Sequence, residues 1–369
     1  MGLSSGLGLH KSVFATRLFP RGSMLMNAIR LQIGVLSAWT VLGLLCLNAP
    51  ADEKKEYPSL GTIERKDPRL DRLVPSEAKI ERLADGYDWS EGPVWDRQGR
   101  YLLFSDVPQN KVFRWKEGEG ASVFLEPSGY TGSVARGGEP GSNGLAMDAQ
   151  GRLILCQHGD RCIARLEPNR KFTVLADRYE GKRFNSPNDA VFKSNGDLYF
   201  TDPPYGLLGK NDDPKKELPF NGVFRLAKDG KVTLLTDKLT YPNGIAFSPD
   251  EKTLYVANSD PEQALWMAYD VKEDGTLGAG KVFFDATSLA KNKALKGLPD
   301  GLKVDQLGNL FATAPGGVFI FSPDGTHLGT LATGEANGNC AWGDDGSTLY
   351  VNADMYLARI RLTTKGLGF

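Results

Sequence analysis

Five oxygen-bearing side chains stand at one equivalent place in a phrase that this chain repeats. Glu91, Asn143, Asn188, Asn243 and Asp300 each lie eight residues before a turn residue, namely Gly99, Gly151, Gly196, Glu251 and Gly308. A sixth copy, aligned through the TLY shared around Leu254 and Leu349, has Gly338 at that place. Donors that are all oxygen, with no sulfur or imidazole, suit a hard divalent cation: Ca²⁺ first, then Mg²⁺, with Mn²⁺ or Zn²⁺ as less favoured alternatives. Isolated buried carboxylates are costly, and no lysine or arginine occupies the sixth place to offset Glu91 and Asp300. The expected ligands are Glu91, Asn188, Asn243 and Asp300, with Asn143 as a further contact to substrate or water. The gap at Gly338 is expected to leave one side of the ring open to water or substrate.

Such a site can polarise a carbonyl and stabilise the oxyanion that forms when water attacks it. Asp300, beside such a cation, could remove a proton from that water. Contact with a cation would lower its pKa and weaken it as a base, so a role as ligand alone stays open. Candidate substrate contacts are Asn143, Asn188, His158, Arg183 and Tyr205. No G-x-S-x-G elbow occurs after the leader and no G-x-x-x-x-G-K-[ST] loop occurs, which disfavours a serine nucleophile and phosphate-cradling chemistry. Asn-Gly and Asp-Gly are also common turn dipeptides. A turn role accounts for the glycines but not for Glu91 at the same offset.

The elements that must position these residues are read from the six copies: EGPVWDRQGRYLLFSD, SNGLAMDAQGRLILCQH, PNDAVFKSNGDLYFTD, PNGIAFSPDEKTLYVANS, PDGLKVDQLGNLFATA and NGNCAWGDDGSTLYVNA. Each opens a unit of about four short strands, the signature of a propeller. The sixth unit is one strand short, and AKIERLAD at 78–85 can supply it. The expectation is an all-β, six-bladed β-propeller over 78–369, its ring closed by that N-terminal strand pairing with the last blade. Residues 52–77 read as a polar lead-in. Insertions at 127–142 and 204–221 are too long for hairpin turns and could overhang one end of the channel.

Composition narrows the function classes. The 369 residues carry 44 basic and 45 acidic side chains, with no basic cluster, so nucleic-acid binding has little support. Three histidines, one of them His10 in the leader, exclude a histidine-rich zinc site. Basic residues, the apolar run LQIGVLSAWTVLGLLCLNA and the A-x-A at Ala49-Pro50-Ala51 make 1–51 a secretory signal, with Met24 or Met26 as alternative starts. The expectation is a periplasmic or secreted protein without stable membrane insertion once cleaved, and the alternative is an uncleaved anchor. Cys156 and Cys162 flank a turn and could be bonded, although free thiols are the favoured reading. Oligomeric state is left open.

Taken together, EGPVW at 91–95, SNGLAMD at 142–148, CQHGDRCIARLE at 156–167, NSPNDAVFKSNGDLYFTDPPYGL at 185–207, PNGIAFSPDEKTLYVANS at 242–259 and LPDGLKVDQLGNLF at 298–311 resemble the senescence marker protein (regucalcin)/gluconolactonase family, in its bacterial gluconolactonase-like branch. The resemblance covers about 65–365 and includes TDPPYGL and QHGDR, which propeller symmetry does not require. It implies a six-bladed propeller with one divalent cation in the axial channel. Its ligands would fall on Glu91, Asn243 and Asp300, with Asn188 as a further ligand or a substrate or water contact. It also implies hydrolysis of a sugar lactone, with Asp300 matching the family's general base. Alternatives are a lactonase or esterase of other specificity and a non-catalytic binding propeller.

Overall fold

The structure, a computed structural model, describes residues 56–369. The expected leader at 1–51 lies outside the described residues. Six antiparallel sheets carry the fold. The first is built from Ser90–Asp96, Tyr101–Asp106, Lys111–Lys116 and Gly120–Leu125, and the second from Ser142–Met147, Leu153–Gln157, Cys162–Leu166 and Phe172–Ala176. Burial falls from the second strand of a blade outward: Leu153–Gln157 is buried throughout, whereas Phe172–Ala176 is mostly open. Strands buried on both faces read as apolar runs without alternation, as in LILCQ and LYFTD, because neighbouring blades cover both sides. The apolar core is accordingly divided among the seams. Ile154, Cys156, Phe184, Phe200 and Phe224 fill the one between the second and third sheets.

The ring closes as expected, since Glu81–Ala84 pairs antiparallel with Tyr356–Arg361 of the last sheet. Arg359, 5% exposed, locks that join with a 2.6 Å ion pair to Glu81 and a second to Glu117. The polar lead-in does more than its composition suggests. Thr62–Arg65 adds a fifth strand to the fifth sheet, against His327–Ala332. The following 3-10 turn, Pro68–Arg72, is capped by Asp67 and drops Leu70, Leu73 and Val74 into the seam with Phe311, Ile320 and Leu349. Few apolar residues sufficed because they fall on one face of the turn.

Cys156, Cys162 and Cys340 are free and buried. Burial pushes the thiols of Cys156 and Cys162 up, which makes them inert packing groups.

Candidate active site

The equivalent positions converge. Glu91, Asn143, Asn188, Asn243 and Asp300 line one cavity of about 210 Å³, together with Trp89, Glu139, Tyr205, Ser259, Leu298 and Asn337. Local backbone geometry explains why the side chains point inward. Pairing between the first two strands of a blade slips just there: Glu91↔Ser105 is followed by Val94↔Leu103, Ser142↔Gln157 by Leu145↔Leu155, and Pro242↔Asn258 by Ile245↔Val256. An extra residue in a strand bends it and re-aims a side chain. Asn143 and Asn243 therefore lie in strands and not in turns. The glycines beside them serve close approach. A Cβ on Gly92, at φ +50°, would stand 2.0 Å from the Asn143 carbonyl oxygen, and one on Gly244 would stand 2.2 Å from that of Asp300.

The other end of each phrase fixes the entry to the inner strand. Asp106 accepts the Asp88 and Trp89 amides, Asp202 accepts those of Asn185 and Ser186, and Asn258 accepts that of Tyr241. Each contact lies two or three residues ahead of a cavity residue. Hydroxyls in alternate blades then tie one blade to the next. Ser105 donates to the Asn143 carbonyl at 2.8 Å, Thr201 to that of Asn243 at 2.7 Å, and Thr313 to that of Gly338 at 3.0 Å. The backbone under the site is thus over-determined, as a rigid ligand set requires.

The cavity is charged and largely desolvated. Glu91 is 1% exposed, and burial pushes its carboxyl well up. The charges of Asp189 and Glu139 add to that push, while the Gly92 amide at 2.9 Å opposes it. Asp300 is partly open to the cavity, yet desolvation, followed by the charge of Glu91, also raises it well above the ordinary carboxylate range. The amide of Asn243 works the other way. Two carboxyls in this state stay neutral unless a positive charge stands near them.

The amides answer a cation as well. Asn243 Nδ2 donates to Ser259 Oγ at 2.9 Å, and that hydroxyl donates to the Pro299 carbonyl. The amide is thereby oriented with Oδ1 buried and without a hydrogen-bond partner. Asn143 Oδ1 is buried and unpartnered in the same way. Orphaned acceptor oxygens cost free energy unless something positive meets them, so these residues fit a hard cation. Among the described residues no cluster of three His, Cys, Asp or Glu side chains has metal-holding geometry. The donor set here rests on two carboxylates and amides instead.

Gly338 does not leave the ring open as expected. A Cβ there would stand 2.3 Å from Glu91 Oε1, so the missing side chain makes room for the Glu91 carboxylate. One residue further along the register come Gly92, Gly144, Asp189, Gly244, Gly301 and Asn339. Asn339 Nδ2 donates to Asp189 Oδ2 at 3.3 Å, and Lys303 Nζ donates to Asn339 Oδ1 at 3.3 Å, 3.8 Å from Asp189 Oδ2. Of the trio, Asp189 and Asn339 lie one register step from the ring residues, and none of its members lines the cavity. Beyond it a second, larger hollow of about 980 Å³, touching Lys303, Phe247 and Trp342, shares no lining residue with the first.

The candidate substrate contacts divide. Tyr205 lines the cavity and stacks on Tyr241 at 5.7 Å between ring centres. His158 is fully buried behind the wall, its Nδ1 3.2 Å from Glu139 Oε2. Arg183 lies elsewhere. Its guanidinium donates to the Asp160 carbonyl at 2.6 Å, and its amide to Glu217 at 2.8 Å. Arg161 is likewise structural, donating to the Phe184 and Lys215 carbonyls. Glu139, Ser259 and the Asp189–Asn339–Lys303 trio were missed. Ser259 ends the fourth copy and the trio's Asp189 and Asn339 lie one step along the register, so these had a signal; Glu139, in an irregular insertion, had none.

A family model described as SMP-30/Gluconolactonase/LRE-like region matches residues 89–354. The chain is 42% identical to the gluconolactonase of Zymomonas mobilis over 313 residues, which cover 84% of this chain and 88% of that one. A solved structure of a gluconolactonase from Xanthomonas campestris superposes with a TM-score of 0.70 at 32% identity, covering 84% of this chain and 99% of the other. A calcium-binding regucalcin from Agrobacterium tumefaciens shares the fold, with a TM-score of 0.60 at 20% identity, over 78% of this chain and 94% of that one.

Proposed function

Because the chain belongs to the SMP-30/gluconolactonase/LRE-like family, we propose that it hydrolyses a sugar lactone with the help of one divalent cation. The observation that carries the cation is the pair of buried, unpartnered oxygens, Asn143 Oδ1 and Asn243 Oδ1, in the same cavity as Glu91 and Asp300. Glu91, Asn188, Asn243 and Asp300 are the proposed ligands, with Ca²⁺ the first choice. When bound, the ion would supply positive charge that polarises the lactone carbonyl.

The side chains supply the rest. Asp300 takes a proton from the water whose oxygen attacks the carbonyl carbon. The ring C–O bond then breaks, and the ring oxygen leaves as a hydroxyl by recovering that proton, so lactone and water become one hydroxy acid. Asn143 and Tyr205 border the space where the ring would lie. The leader at 1–51 supports export to the periplasm or medium, and N-terminal sequencing that finds a mature chain starting near Asp52 would bear this out.

The test is D-glucono-1,5-lactone hydrolysis above the spontaneous rate, before and after chelation and after Ca²⁺ is restored. Activity should vanish and return, and Asp300→Ala should abolish it. Purified protein that holds no divalent ion and stays inactive after ions are added would sink the proposal. Full activity in Asp300→Ala would remove Asp300 from the site.

A further inference from the structure

Glu139 is the one carboxylate of the cavity wall that the axial repeat does not supply. It comes from the first insertion, and that insertion is clamped. The Gly141 amide donates to the Val107 carbonyl at 2.9 Å, the His158 amide to that of Gly141 at 3.1 Å, and the Gly159 amide to that of Pro140 at 3.2 Å. Arg136 pins the same loop by donating to the Gly159 carbonyl at 3.1 Å and to the Gly206 carbonyl. Two glycines allow the closure. A Cβ on Gly159 would lie 2.4 Å from the Pro140 oxygen, and one on Gly206 would lie 2.7 Å from His158 Cβ.

His158 is completely buried with its Nδ1 3.2 Å from Glu139 Oε2, yet neither ring nitrogen has a hydrogen-bond partner among the described residues. The Glu139 side chain keeps 35% of its exposure, toward the cavity and its mouth. One carboxylate oxygen therefore sits against the buried imidazole while the group keeps an open side. An ordinary solvated loop has no reason to set a glutamate against a fully buried imidazole. A carboxylate accepts hydrogen bonds and donates none, and adjacent ring hydroxyls are donors that match it.

We propose that Glu139, oriented by His158, is a specificity-determining residue that accepts hydrogen bonds from the hydroxyls of a polyhydroxylated lactone ring. His158 is its positioning residue. The substrate being a lactone rests on the proposed function; the recognition of ring hydroxyls can be read without any turnover.

The experiment compares kcat/KM for D-glucono-1,5-lactone and for δ-valerolactone, which has the ring but no hydroxyls. The proteins are the wild type, Glu139→Gln, Glu139→Ala, His158→Phe and the Glu139→Ala/His158→Phe pair. Binding of methyl α-D-glucopyranoside, a hydroxylated ring with no lactone bond, is measured by calorimetry on the same proteins. The preference for the hydroxylated lactone should fall about tenfold or more in Glu139→Ala, through KM more than kcat, and by less in Glu139→Gln. His158→Phe should lose the same preference, and the double variant should lose no more than Glu139→Ala alone. An unchanged preference in Glu139→Ala overturns the inference. If no lactone is hydrolysed by the wild type, the proposed function fails on its own, and the glucoside decides this inference. Binding that weakens in Glu139→Gln supports it; binding that is absent, or equal in wild type and variant, refutes it.

Discussion

Gly338→Ala isolates the placement of one carboxylate. The position needs no glycine for its backbone, since its φ is not among the positive ones. The new methyl would instead stand 2.3 Å from Glu91 Oε1, 2.7 Å from Cδ and 3.1 Å from the Ser90 carbonyl oxygen. Ordinary contact starts near 3.4 Å, so the carboxylate must retreat by about 1 Å. Glu91 is 1% exposed, and its other oxygen is already held by the Gly92 amide, so there is little room to absorb the shift elsewhere. Overpacking of this kind costs about 1–3 kcal/mol of stability. Misplacing a reacting or ligating group by about 1 Å costs about 100-fold in rate. The assay is lactone hydrolysis at saturating Ca²⁺, alongside calorimetric Ca²⁺ binding and thermal unfolding. Expected are a folded protein, weaker Ca²⁺ binding and kcat/KM down about 100-fold. Wild-type kcat/KM and Ca²⁺ affinity in Gly338→Ala would refute the idea that this glycine exists to seat Glu91.

Further outcomes follow from the same contacts. Ser259→Ala frees the Asn243 amide to rotate, and Ca²⁺ affinity by calorimetry should fall about 10- to 100-fold with the fold intact. Leu70→Ala opens the seam that the lead-in seals and should cost about 2–5 kcal/mol in denaturant unfolding. His327 is half-buried against Phe319, 4.2 Å between ring centres, and desolvation, helped by the charge of Lys66, pushes its imidazole down to about 4. Unfolded, it titrates near 6.5, so between about 4 and 6.5 the unfolded chain binds more protons and stability is lost as pH falls. Discounted for the ring's partial exposure, the loss is about 1–2 kcal/mol. Unfolding titrations of wild type and His327→Gln on either side of that window should show the steeper acid loss in the wild type.

The ring of five oxygens was legible because a propeller writes its axis at a fixed interval, and departures such as Glu91 and Asp300 stand out against the asparagines. The closing strand at 81–84 was legible for a related reason: the last unit lacks one strand. Other features depend on three-dimensional approach. The bulges that turn Asn143 and Asn243 inward have the same dipeptides as turns, so sequence alone leaves both readings open. Gly338 looked like a vacancy because the side chain that fills it, Glu91, belongs to the neighbouring blade. Arg183 has the right charge near the right motif, but its reach is spent on the Asp160 carbonyl, which no spacing rule reveals. Glu139 escaped because irregular insertions have no register to compare.

The bonded Asp189–Asn339–Lys303 trio, with Asp189 and Asn339 one register step from the ring residues, suits a site with a one-way geometry. Many ring-shaped folds offer a through passage, but here the cavity and the larger hollow share no lining residue. If the two hollows do not join, a lactone that enters past Glu139 and Tyr205 leaves as the acid through the same doorway. Product that lingers excludes the next substrate, and competitive inhibition by the hydroxy acid is the kinetic behaviour such a blind alley imposes. Turnover would then be governed at the rim, by how readily the two insertions let an anion go.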